Sequence, residues 1–66
     1  MLIKKDYKII NFRTVEAVVK DKTNLRFVMT SDCHIDFKFE SNELRDKAFD
    51  QILDAYRWQR LVCDLG

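Results

Sequence analysis

The chain has 66 residues, with twelve basic and eleven acidic side chains for a net charge of +1, one glycine, no proline and two cysteines. That near balance supplies no global field to draw in nucleic acid or anionic lipid, and two cysteines make neither a disulfide framework nor a CxxC metal pair. A chain of about 60 residues buries only about 60% of the surface its unfolded form exposes, so one marginal domain over residues 1–66 is expected, with self-association as its supplement.

The opening Met1-Leu2-Ile3-Lys4-Lys5-Asp6 lacks the apolar run of a signal peptide, and no later window approaches the roughly 20 apolar residues of a membrane span. A cytoplasmic protein with reduced thiols and no membrane partner is expected. Leu2 and Ile3, then residues 7–10, read as short extended segments around a polar turn at Lys4-Lys5-Asp6, either a hairpin or one bent edge strand. Asn11-Phe12-Arg13-Thr14 breaks the apolar run as a turn, and the β-branched stretch over residues 15–20 reads as a strand. The polar cluster Asp21-Lys22-Thr23-Asn24 has hairpin-loop length, with Asn24 suited to a left-handed conformation. Leu25, Phe27 and Met29 alternate with Arg26, Val28 and Thr30 in the next strand, and Thr30-Ser31-Asp32 turns into another. There Cys33, Ile35, Phe37 and Phe39 fall on one side and His34, Asp36, Lys38 and Glu40 on the other, the pattern of a half-buried strand.

At residue 41 the period changes. Ser41 or Asn42 is placed to cap a helix by accepting a backbone N–H bond, with Glu43 in the first turn against the helix dipole. Leu44, Ala48, Ile52, Ala55 and Tyr56 share one side, flanked by Phe49, as in a helix packed on a sheet. With no proline, and glycine only at Gly66, nothing marks the helix end, which is placed near residue 60. The expected fold is α+β: an antiparallel sheet of four or five strands within residues 2–40, and one C-terminal helix, about residues 42–60, packed on one face.

Cys33 and His34 come nearest to a metal or nucleophile site. Strand neighbours point to opposite faces and no second histidine completes a set, so a buried structural Cys33 and a solvated His34 are expected, with no metal and no cofactor. Glu43, Asp46, Asp50 and Asp54 form an acidic column beside Lys47 and Arg57, either a solvated helix face or a surface for a basic partner. Lys4, Lys5, Lys8 and Arg13, with Tyr7 and Phe12 interleaved, are a small version of the basic and aromatic mix that grips single-stranded nucleic acid; lysines that protect an edge strand are the plainer explanation. Trp58 falls off the apolar stripe and, if the helix continues, makes a second ridge with Leu61 and Leu65. Val18 and Val28 project from the sheet face opposite the helix, which has no predicted cover. These five are the expected interface residues; the alternative is that the chain turns back after Trp58 and tucks Leu61, Val62 and Leu65 against its own sheet.

The run Tyr7-Lys8-Ile9-Ile10-Asn11-Phe12, then Val15-Glu16-Ala17-Val18, then Ile35-Asp36-Phe37 into Glu40-Ser41 and a short helix, resembles a diffuse group of small bacterial and phage-encoded proteins. Over about residues 7–56 it is also similar in layout to short bacterial flagellar proteins whose strands end in a Glu-Ser start to a terminal helix. Where that group has a glycine before its last strand, this chain has Ser31-Asp32. The resemblance implies a strand meander followed by one helix, and no activity.

With no Gly-rich phosphate loop, GxSxG elbow or HExxH motif, enzymatic activity is not expected. The function expected is a non-enzymatic protein–protein interaction module, homodimeric or bound to another protein, acting through the open sheet face and the helix. Two alternatives stand beside it: a nucleic-acid accessory protein using Lys4, Lys5, Tyr7, Lys8 and Arg13, and a phage-type inhibitor presenting Glu43, Asp46, Asp50 and Asp54 to a basic groove of a host enzyme.

Overall fold

Leu2–Lys5 (β1) and Lys8–Asn11 (β2) form an antiparallel hairpin in a computed structural model of the chain, which describes all of residues 1–66. Its two-residue turn holds Asp6 at φ 55°, a left-handed conformation that a short polar side chain tolerates better than most. Ile3 faces Ile10 across the hairpin, and both are buried. A 3-10 turn over Phe12–Thr14 follows, in which the Asn11 side chain accepts the Arg13 N–H at 3.1 Å and Thr14 Oγ1 donates to the Asn11 carbonyl at 2.9 Å. Such side-chain bonds give the backbone an alternative to the strand ladder, which is why the extended run breaks there.

Val15–Asp21 (β3), Asn24–Met29 (β4) and His34–Lys38 (β5) form an antiparallel meander in that order. Leu25, Phe27 and Phe37 point inward and are buried, with the two rings 5.0 Å apart. In the β3–β4 turn it is Lys22, at φ 55°, that takes the left-handed conformation, because Asn24 is already paired with Asp21 in the ladder. Val15 pairs with Met29 and Ala17 with Val28, so Glu16 is the extra residue of a β-bulge. The bulge resets the alternation. Val15 and Val18, three residues apart, both pack against the core, and Val18 sits opposite Phe27 on the inner face instead of projecting from the open one. Val28, opposite Ala17 and His34, does lie on the outer face.

Asn42–Arg57 (α1) starts at Ser41, whose Oγ accepts the Leu44 N–H at 3.2 Å. Ala48, Ile52 and Ala55 are its buried residues, and Phe49 packs partly against them, whereas Leu44 and Tyr56 of the expected stripe stand in solvent. The helix stops at Arg57, three residues short of the expected end, through a Schellman motif. Gln59 takes φ 52°, its N–H donates to the Tyr56 carbonyl at 3.1 Å, and the Arg60 N–H donates to the Ala55 carbonyl at 2.9 Å. A glutamine thus occupies the left-handed position usually given to glycine.

The chain then turns back. Val62–Asp64 (β6) pairs in parallel with β1, setting Leu2, Ile3 and Lys4 beside Val62, Cys63 and Asp64. Flanking bonds from Leu2 N–H to the Leu61 carbonyl (2.8 Å) and from Leu65 N–H to the Lys4 carbonyl (2.7 Å) extend the match. The fold is α+β with a C-terminal helix, but two three-stranded sheets, β2-β1-β6 and β3-β4-β5, replace the single sheet expected. The helix packs on β4 and β6, and nine apolar side chains from both sheets and the helix share one core. No helix is long and apolar enough to cross a membrane.

Candidate functional site

A groove of about 920 Å³ opens between the carboxyl end of α1 and the 3-10 turn. Phe12, Val15, Ile52 and Ala55 line it, and the Phe12 and Tyr56 rings meet edge to face at 5.9 Å. The local geometry follows from the helix: with Ile52 turned into the core, Leu53 is carried about 100° round the axis toward solvent. Leu53, Tyr56 and Leu61, all lining residues, are 51%, 67% and 84% exposed. Arg13, Arg57 and Arg60 stand among them with Glu16. The ion pairs of the molecule use other cations (Lys5, Lys20, Arg26 and Arg45), so these three arginines have no carboxylate partner. The arrangement is an apolar groove with an unneutralised basic rim.

Of the five expected interface residues, Leu61 alone lines this groove. Trp58 caps the helix, exposed, and its indole N–H donates to Asp54 at 3.2 Å, outside the lining. Leu65 follows β6 and packs against the core. The continuous ridge of Trp58, Leu61 and Leu65 therefore does not form. The return of the chain buries Cys63 and partly covers Leu65, while Leu61 and Val62 stay in solvent. Val28 lies on the open face of the meander near exposed Val19, beside a bidentate Arg26–Asp36 pair (3.0 and 3.3 Å), with Asp21 3.5 Å from Arg26. The hydrogen bond from Arg26 holds the Asp36 carboxyl below its ordinary range, and the same bond raises the guanidinium.

The sequence reading missed Leu53 and the solvent position of Tyr56. Its only available signal was Leu53 standing alone among Asp50, Asp54 and Arg57, off the main apolar stripe.

The acidic column divides in use. Asp46 accepts from Lys20 (3.0 Å) and Arg45 (2.8 Å), and these bonds, the one from Lys20 first, lower its pKa. Asp54 is taken by Trp58, whereas Glu43 and Asp50 have no ion pair; nor do Lys47 and Arg57, the bases expected to neutralise the column. Arg45 also donates to the Lys22 carbonyl, tying the start of α1 to the β3–β4 turn.

The basic residues of the amino end do not converge. Lys5 pairs with Asp6 at 2.9 Å and lies 5.0 Å from the Phe39 ring centre, and Lys8 donates to the Asp36 carbonyl at 3.1 Å. Lys4 sits on the outer face of the mixed sheet beside Asp64, Tyr7 is exposed at the hairpin tip, and Arg13 belongs to the groove.

Cys33 is exposed, contrary to the expected burial: it precedes the first paired residue of β5 and belongs to the turn, where its carbonyl accepts the Met29 N–H at 2.8 Å. The buried thiol is that of Cys63, whose pKa is pushed up by loss of solvent and then by Asp64. Nowhere do three His, Cys, Asp or Glu side chains come together as a metal site. Comparison with protein-family models, curated proteins and solved structures found no match.

Proposed function

We propose that the chain is a non-enzymatic protein–protein interaction module that self-associates through the groove at the carboxyl end of α1. The observation that carries this reading is the exposure of Leu53, Tyr56 and Leu61 around one apolar groove. Apolar surface left in water forgoes about 25 cal/mol per Å², and a cluster of such residues gains by being covered. Covering it also suits a small domain, because association stabilises the folded chain as concentration rises.

Amide chemical shifts followed over a dilution series test the proposal. Signals of Leu53, Tyr56 and Leu61 move with concentration, while those of Val19 and Val28 on the opposite sheet face stay fixed. Spectra independent of concentration up to roughly 1 mM overturn it.

A further inference from the structure

We infer that the occupant of this surface is the same surface of a second copy, with the two α1 helices antiparallel and meeting at Leu53. The inference rests on the self-association proposed above and adds its register.

Asp50 and Arg57 are both exposed, neither is in an ion pair, and they lie seven residues apart on one side of α1 with Leu53 between them. Seven residues are about two helical turns, so each stands about 5 Å along the axis from the midpoint. A copy run in the opposite direction about that midpoint sets Asp50 against the second copy's Arg57, and Arg57 against the second copy's Asp50. A parallel copy sets like against like. Elsewhere on α1 the unpaired side chains carry both signs, Glu43 and Lys47 among them, so the register rests on Asp50 and Arg57. The Asp50–Arg57 pair is thus complementary to itself only when reversed, as a two-fold interface requires.

Leu53 of each copy, half exposed at the axis, is placed to enter the other's groove beside Tyr56, giving an apolar centre with a charged rim. A foreign acidic segment would answer the arginines and leave Asp50 without a partner, whereas a second copy answers both Asp50 and Arg57. The area required is modest. An interface of about 1,000 Å² in total takes about 500 Å² from each copy. That is roughly a tenth of the 4,877 Å² surface.

Sedimentation velocity on Asp50→Arg, Arg57→Asp and their equimolar mixture tests the register. The wild type is a dimer. Each reversal alone sets two like-charged pairs across the axis and weakens the dimer by roughly tenfold or more. Mixing the two variants restores it, since each then offers the charge the other lacks, and this restoration also shows that both variants are folded. A wild-type dimer that tolerates both reversals, or that mixing does not restore, overturns the register while leaving self-association to another face. A wild type that stays monomeric overturns self-association and the register together.

Discussion

The meander β3-β4-β5 and the mixed sheet β2-β1-β6 share one core but are made by the chain in different ways. The meander joins consecutive strands of seven, six and five residues through short turns, and it buries Leu25, Phe27 and Phe37. The mixed sheet has strands of four, four and three residues, and its parallel pair brings Leu2 beside Val62. Closing so long a loop costs more chain entropy than a hairpin, although the cost grows only with the logarithm of length. Each sheet buries three side chains of the core, but the meander is built from neighbouring strands, whereas the mixed sheet is a closure that depends on α1 delivering β6 to β1.

The strongest challenge to this contrast is Phe27→Ala, which empties the middle of the meander and costs about 3–5 kcal/mol. Urea unfolding measures it, and a loss below about 1 kcal/mol would deny Phe27 its place in the core. Cys63→Ser places a hydroxyl in the buried site of β6, at a cost of about 1–3 kcal/mol when no partner is reached. Hydrogen exchange should then quicken at Ile3 and Cys63 and not at Phe27; equal quickening means that the two sheets open as one unit.

Gln59→Gly sharpens the comparison from the other side. It relieves the left-handed residue that turns the chain toward β6: the left-handed cost of about 1–2 kcal/mol, less glycine's extra chain entropy of about 0.5–1 kcal/mol, should show in thermal melting as a gain of about 0.5–1 kcal/mol. An unchanged or lower melting temperature contradicts that role for Gln59. The smallest effect is electrostatic. Asp36 and Asp46, both tied to the meander, titrate below the ordinary carboxylate range. Their contribution is therefore fully present above the unfolded-chain value of about 4 and is lost as the pH falls through the lowered ones. Asp36→Asn should flatten this acid limb slightly, because the pair is partly exposed and screened; an acid limb identical to that of the wild type contradicts the assignment.

The difference between the two sheets also marks what the sequence made legible. Alternation at Leu25, Phe27, Ile35 and Phe37 exposed the meander, and the spacing of Ala48, Ile52 and Ala55 exposed the helix. Both are repeats long enough to stand out. Three residues, Val62-Cys63-Asp64, carry no usable period, and their partner lies at the other end of the chain, so the pairing of β6 with β1 was not visible, although the hairpin over residues 2–10 and a return of the chain after Trp58 both stood among the alternatives. A bulge at Glu16 needs no special residue type, yet it turned Val18 inward. Gln59 ends the helix without the glycine that signals such an end.

At the candidate site, Leu61 was legible as spare apolar surface. The groove was not, because Phe12 reaches Tyr56 only through the fold. Nor could the absence of partners for Arg57 and Asp50 be known: Asp54 beside Arg57 and Lys47 beside Asp50 suggested neutralisation that the side chains do not make.

Sedimentation equilibrium of the wild-type chain over rising concentration is the decisive test of self-association through the exposed face of α1. Self-association gives a mass climbing from 7.9 kDa toward twice that value. A mass that stays at 7.9 kDa at every concentration contradicts it.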